Sequence, residues 1–255
     1  MTAGLNELRA ALDSADAPLT VFFRNDDAGW AEEALHALLA VAAKHGATID
    51  LAAIPSAMTQ AQASRLRAFI GATGAARVHQ HGFSHQNHEA EGKKCEFGAS
   101  RPMTRQWADI RSGRERLHDF FPDGVDPIFT PPWNRCVQET VEALHQEGFL
   151  TLSRDAAAAP LALGRMAEIP VDIDWRRADS AKDSADNVGL PALTARIRNG
   201  AARIGVMTHH ATIDSDLLDQ FGAAIGVLAD SRRVSFSTMI DFIPIPARKD
   251  LLSHV

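Results

Sequence analysis

Four histidines fall within the ten residues His79-Gln80-His81-Gly82-Phe83-Ser84-His85-Gln86-Asn87-His88, and two of them, His81 and His85, stand four apart. On a helix or along an extended segment that spacing can put both imidazoles on one side. Two neutral imidazoles and one carboxylate suit Zn²⁺ or another divalent transition metal, and leave positions open for water and substrate. Carboxylates stand upstream in the neighbouring pair Asp26-Asp27, which follows a branched and aromatic run and precedes Ala28-Gly29. Such a turn can aim one acid inward with the other beside it; alternatively, the pair caps the helix that follows. Three more clusters lie downstream. Thr130-Pro131-Pro132-Trp133 joins a stiff turn to a flat apolar face, Asp172-Ile173-Asp174-Trp175 sets acids beside a Trp, and Val206-Met207-Thr208-His209-His210 closes an apolar run with two histidines. A histidine so placed can serve as a general acid. Each Trp reads equally as the wall of a binding site or as core.

The elements that would position these groups follow from periodicity. Short apolar runs predict strands over 19–24, 48–54, 76–80, 128–130, 149–152, 169–173 and 204–208. Helical spacing predicts helices over 30–45, 60–70, 104–121, 137–147, 190–199 and 215–230. Stretches 156–165 and 179–187 read as surface excursions. The alternation predicts parallel strands with right-handed crossovers. With about seven such units in one chain, an α/β barrel is expected rather than a doubly wound sheet. Barrel active sites gather at the C-terminal ends of the strands, and every cluster named above stands at such an end.

The chain has 255 residues, 45% hydrophobic and 23% charged, as expected for one globular domain spanning 1–255. A net charge of -6 argues against nucleic acid as the main partner. No stretch approaches the roughly 20 apolar residues of a membrane-spanning helix, so no stable membrane insertion is expected. The first twenty residues lack a basic region followed by an apolar run, which gives a cytoplasmic expectation with Cys95 and Cys136 reduced.

In order, the motifs resemble those of the NodB-homology polysaccharide deacetylases of carbohydrate esterase family four, and more closely their divergent, signal-less relatives. The resemblance implies a distorted barrel of seven β/α units. It also implies a metal-dependent hydrolase that removes an acetyl group from an N- or O-acetylated sugar or glycan precursor. Asn25-Asp26-Asp27-Ala28-Gly29 is similar to the family's Thr-Phe-Asp-Asp-Gly turn with an extra Ala, implying Asp26 as catalytic base and Asp27 as metal ligand. His81 and His85 match a His-x-x-x-His pair of ligands. Pro132-Trp133 matches an Arg-x-Pro-aromatic motif without its Arg, and implies the Trp133 backbone N–H as an oxyanion donor. Asp174-Trp175 matches the end of the fourth motif, while Val171 stands where an acid is expected. Val206 to His209 matches Leu-x-x-His, implying His209 as general acid oriented by Asp174. Two residues could replace the family's arginine beside Asp26: Arg24, two positions earlier and so on the same face of an extended strand, and Arg135. Trp133, Trp175 and His210 are expected against the substrate. The charged run from His88 to Glu96 reads as a solvated loop whose Lys93 or Lys94 could meet an acidic group. Two other readings use the same scaffold: hydrolysis of non-sugar C–N bonds such as cyclic amides, and carbohydrate binding without catalysis.

Overall fold

The computed structural model describes residues 2–178 and 187–244; the excursion expected at 179–187 lies outside them except for Asn187. Among the described residues nine parallel strands curl into a distorted (β/α)7 barrel. They are β1 (Leu19–Ala28), β2 (Ile49–Ala53), β3 (Ala76–His81), β4 (Asp126–Thr130), β5 (Thr151–Leu152), β6 (Ala167–Glu168), β7 (Ile173–Asp174), β8 (Arg203–His209) and β9 (Val234–Phe236). The spatial order is β6-β5-β4-β3-β2-β1-β8-β7, with β9 beside the start of β1. Around them lie α1 (Thr2–Asp13), α2 (Glu32–Lys44), α3 (Gln60–Thr73), α4 (Met103–Phe120), α5 (Gln138–Gln146), α6 (Gly189–Arg198) and α7 (Ser215–Ala229).

Strand parity decides what enters the barrel. Val21 and Phe23 of β1 face outward and pack with Leu8 of α1, Leu38 of α2 and Phe221 of α7. Phe22 faces inward and packs with Ile128, Val171, Met207 and Met239. The two-residue period then sends Arg24 and Asp26 inward as well. Val78 and Val206 likewise join the outer core, leaving His79 and His81 on β3, and Met207 and His209 on β8, on the inner face. A second outer core, built on Phe97, Phe129, Leu144 and Phe149, lies under α4 and α5.

The strand expected at 169–173 is instead a closing strap. β6 pairs with β5, and β7 with β8. Between them the Val171 N–H bonds the Arg154 carbonyl and the Asp172 N–H bonds that of Gly205. One stretch therefore spans the two edges of the sheet and carries Asp174 to the barrel mouth. Helix α1 was not expected from the sequence; its Leu5, Leu8 and Leu12 form an apolar stripe buried in the outer core. At the opposite end, the turn Met239–Phe242 covers the barrel base, and the Met239 N–H donates to Asp50 Oδ2 at 2.9 Å. Asp50 Oδ1 is buried without a partner, and burial raises this carboxyl well above its ordinary pKa. Among the described residues no helix is long and apolar enough to cross a membrane.

Candidate active site

Strand β1 continues past the end expected from its apolar run, so Asp26 and Asp27 are strand residues. They do not cap α2, whose N-cap is Ala31 without any side-chain capping bond. Asp27 Oδ1 lies 3.3 Å from His81 Nε2 and 3.2 Å from His85 Nε2. The possible ligand atoms of these three residues all lie within 4.8 Å of one another. His81 Nδ1 sits 2.9 Å from the Thr130 carbonyl. A carbonyl only accepts, so Nδ1 carries the proton and Nε2 turns a lone pair toward Asp27. That lone pair cannot satisfy the carboxylate, and Asp27 Oδ1 is indeed buried without a hydrogen bond. Converging acceptors around an orphaned carboxylate oxygen are the environment a cation completes, and this donor set fits zinc or a similar divalent ion. Burial lowers the pKa of His85 and favours its neutral imidazole, the form a metal would need.

Beside the triad, Asp26 is gripped by a fully buried Arg24. Arg24 Nε and Nη2 donate to Asp26 Oδ1 and Oδ2 at 2.8 and 2.9 Å. The guanidinium also donates to Ser153 Oγ at 2.9 Å and Asn134 Oδ1 at 2.7 Å, which fixes its plane. Arg135 points elsewhere, donating to the Lys94 carbonyl. Burial alone would raise the Asp26 pKa; Arg24, with His209, outweighs it and holds the carboxyl below the usual range. His209 bridges two acids, its Nε2 3.9 Å from Asp26 Oδ2 and its Nδ1 3.7 Å from Asp174 Oδ1. Burial would lower the His209 pKa, but Asp174 and then Asp26 reverse that and raise it. Asp174 is itself held by Arg176 Nε at 2.8 Å.

Two residues expected against substrate are not there. Trp175 is only 1% exposed: it packs on Phe221 and belongs to the outer core. His210 is buried as well. Its Nε2 bonds the Trp30 carbonyl at 2.9 Å and its Nδ1 the Asn25 amide at 2.9 Å, so it braces the turn after Asp27. Trp133 does reach the mouth, its ring centroid 4.4 Å from that of His85. Sequence reasoning missed Asn134, Ser153 and Trp30. Trp30 is 40% exposed and its ring lies 5.0 Å from that of His85; its position three residues after Asp27 was the available signal. It also missed Glu96, which is fully buried rather than part of a solvated loop.

Backbone strain gathers at the same place. Among the described residues five non-glycine positions have positive φ, and four of them, Asp27 (71°), His85 (56°), Trp133 (56°) and Asn134 (58°), are those just discussed. Each left-handed residue costs about 1–2 kcal/mol, and such strain characteristically marks functional sites.

No family model and no curated protein matches the sequence. Solved structures do match in fold. One is a Mycobacterium smegmatis protein assigned as a polysaccharide deacetylase, at TM-score 0.64 and 14% identity over 95% of this chain and 96% of that one. A family 4 acetyl xylan esterase from Clostridium thermocellum, solved with a cobalt ion, matches at TM-score 0.57 and 11% identity over 87% and 89%. A family 4 pseudoenzyme from Bacillus anthracis matches at TM-score 0.58 and 13% identity over 90% and 66%. The chain thus shares the fold of the family 4 carbohydrate esterases, a fold that hosts both active and inactive members.

Proposed function

We propose that this protein is a metal-dependent hydrolase that removes an acetyl group from an N- or O-acetylated sugar or glycan precursor. The observation that carries the reading is the meeting, at one barrel mouth, of the Asp27–His81–His85 cluster with an arginine-clamped acid and an acid-backed histidine. Asp27, His81 and His85 would hold a zinc or other divalent transition-metal ion, which when bound supplies an acidified water and a Lewis acid for the acetyl carbonyl. Asp26, kept ionised and aimed by Arg24, takes the proton of the attacking water. His209, whose protonated form Asp174 and Asp26 favour against burial, gives a proton to the leaving amine or alcohol. The Trp133 backbone N–H would donate to the developing oxyanion, a contact typically worth about 3–4 kcal/mol. Trp30 and Trp133 flank His85 and offer flat apolar faces to a sugar ring.

The bidentate Arg24–Asp26 pair argues for catalysis over binding alone, since it supplies the cation whose absence from the third motif motivated the non-catalytic alternative. The test is acetate release from N- and O-acetylated sugars by metal-stripped protein before and after adding back zinc or cobalt, beside a panel of cyclic amides. Acetate released only by the reloaded protein supports the reading. A reloaded protein that opens cyclic amides and leaves every acetylated sugar intact overturns it.

A further inference from the structure

Among the described residues Glu96 is the one fully buried acid near the mouth that the proposed chemistry leaves without a task. It lies eleven residues beyond His85, in a charged stretch outside every strand and helix. Its carboxyl accepts from four donors. The Ser84 N–H and Oγ reach Oε1 at 2.7 and 2.9 Å, and the Phe83 and His85 N–H groups reach Oε2 at 3.3 and 3.2 Å. Three successive amides thus converge on one side chain, like a backbone nest around a bound anion. The last belongs to His85, a ligand with φ of 56°. Glu96 is firmly placed for this work. Its neighbour Phe97 bridges Cys136, the Val137 N–H donates to the Phe97 carbonyl, and Cys95 Sγ donates to the Arg135 carbonyl. The stretch carrying Glu96 is therefore docked on the chain that leaves Trp133 and Asn134.

We infer that Glu96 is a positioning residue that acts through His85: its carboxylate replaces a regular turn as the acceptor for the 83–85 amides and so fixes the left-handed His85 where its imidazole meets Asp27. The inference rests on the metal reading of the Asp27–His81–His85 cluster, but it has a metal-free consequence as well. In E96Q an amide nitrogen replaces one carboxylate oxygen and confronts N–H donors. Partners that orient a ligand typically change metal affinity about 10–100-fold.

The experiment measures zinc affinity by chelator competition, and the visible spectrum of the cobalt form, in the wild type, E96Q, H85A and the double variant. Amide exchange of Phe83–His85 is followed in the metal-free wild type and E96Q. Zinc affinity should fall by that factor in E96Q, with an altered cobalt spectrum. The double variant should bind no more weakly than H85A, because a residue acting through His85 has nothing left to position. Exchange at residues 83–85 should quicken at least tenfold without a matching rise in the core strands. Should E96Q fail to fold, Glu96→Asp keeps the charge but shortens its reach, and should show the same pattern with smaller amplitude. Unchanged zinc affinity in a folded E96Q, or a loss that adds in full to that of H85A, overturns the inference. A wild type that binds neither zinc nor cobalt removes the metal reading instead, and unchanged exchange at 83–85 then overturns the positioning role on its own.

Discussion

Gly82 lies between His81 and His85, the two histidines proposed as ligands, and its replacement by alanine tests how tightly their loop is built. The residue has φ of 54°, a conformation that costs a side chain about 1–2 kcal/mol. A Cβ at this position would strike the Glu96 carboxylate and lie 2.6 and 2.7 Å from Pro132 Cδ and Cγ. None of these can yield cheaply, since Glu96 is locked by four donors and Pro132 belongs to the stiff turn before Trp133. Overpacking of that kind costs about 1–3 kcal/mol. The two terms together predict that Gly82→Ala loses about 2–5 kcal/mol of stability in urea unfolding of the metal-free protein. Gly74 is the control: it ends α3 with φ of 65°, yet a Cβ there would meet nothing within 4 Å. Gly74→Ala should lose only the backbone share, about 1–2 kcal/mol. Pushing Glu96 or Pro132 aside should also weaken zinc binding in the Gly82 variant and leave it untouched in the Gly74 variant. Equal losses for the two variants, or a loss below about 1 kcal/mol at Gly82, would refute the packing described for this loop.

Asp174→Asn removes the group that contributes most to raising the His209 pKa. The protonated histidine should then be lost at lower pH, so the alkaline limb of kcat/KM should move toward acid while the acidic limb stays in place. At the barrel base, the neutral form of Asp50 is favoured by folding, because its folded pKa lies above the unfolded one. Its contribution is present in full below the unfolded pKa and is lost as pH rises toward the folded one, by up to about 1.4 kcal/mol per pH unit. Asp50→Asn, measured by denaturant titration across pH, should flatten that decline. Trp30→Ala should raise KM for an acetylated glucosamine oligomer several-fold with a smaller change in kcat, whereas Trp30→Phe should restore most of the affinity; matching kinetics for the two variants would deny the ring a stacking role.

Much of this site could be read from the sequence because parallel strands deliver chemistry to one end. Apolar runs marked β1 to β5 and β8, though not β6 or β9, and the residues that follow those runs had to lie at the mouth. The same logic made Arg24 a candidate, since two positions along β1 keep it on the face of Asp26, but only the contacts separate it from Arg135, which turns to the Lys94 carbonyl. What could not be read came from distance in sequence. Ser153 and Asn134 grip Arg24 from 129 and 110 residues away, and nothing local in either marks that contact. Glu96 was hidden differently: among lysines, glutamates and a glycine it carries the composition of a solvated loop, and only the three amides waiting for an acceptor explain its burial.

Trp175 and His210 were misread for a reason the sequence did contain. On an extended strand two neighbours face opposite sides, so of Asp174-Trp175 and His209-His210 only one member each could enter the barrel. The second members are buried on the other side, Trp175 against Phe221 and His210 against Asn25. By that rule Asp26 and Asp27 should not share a site either. They do because Asp27 is left-handed and the pairing of β1 with β2 shifts register between Asn25 and Ala28, a bulge that turns the second acid back toward the mouth. Trp133 and Asn134 repeat the device: both are left-handed, one ring lies on His85 and the next side chain holds Arg24. Strand parity thus sends one side chain of each pair to the mouth, and each exception is accompanied by a strained φ. The strain at this mouth is the conformational cost of making two adjacent side chains serve one centre.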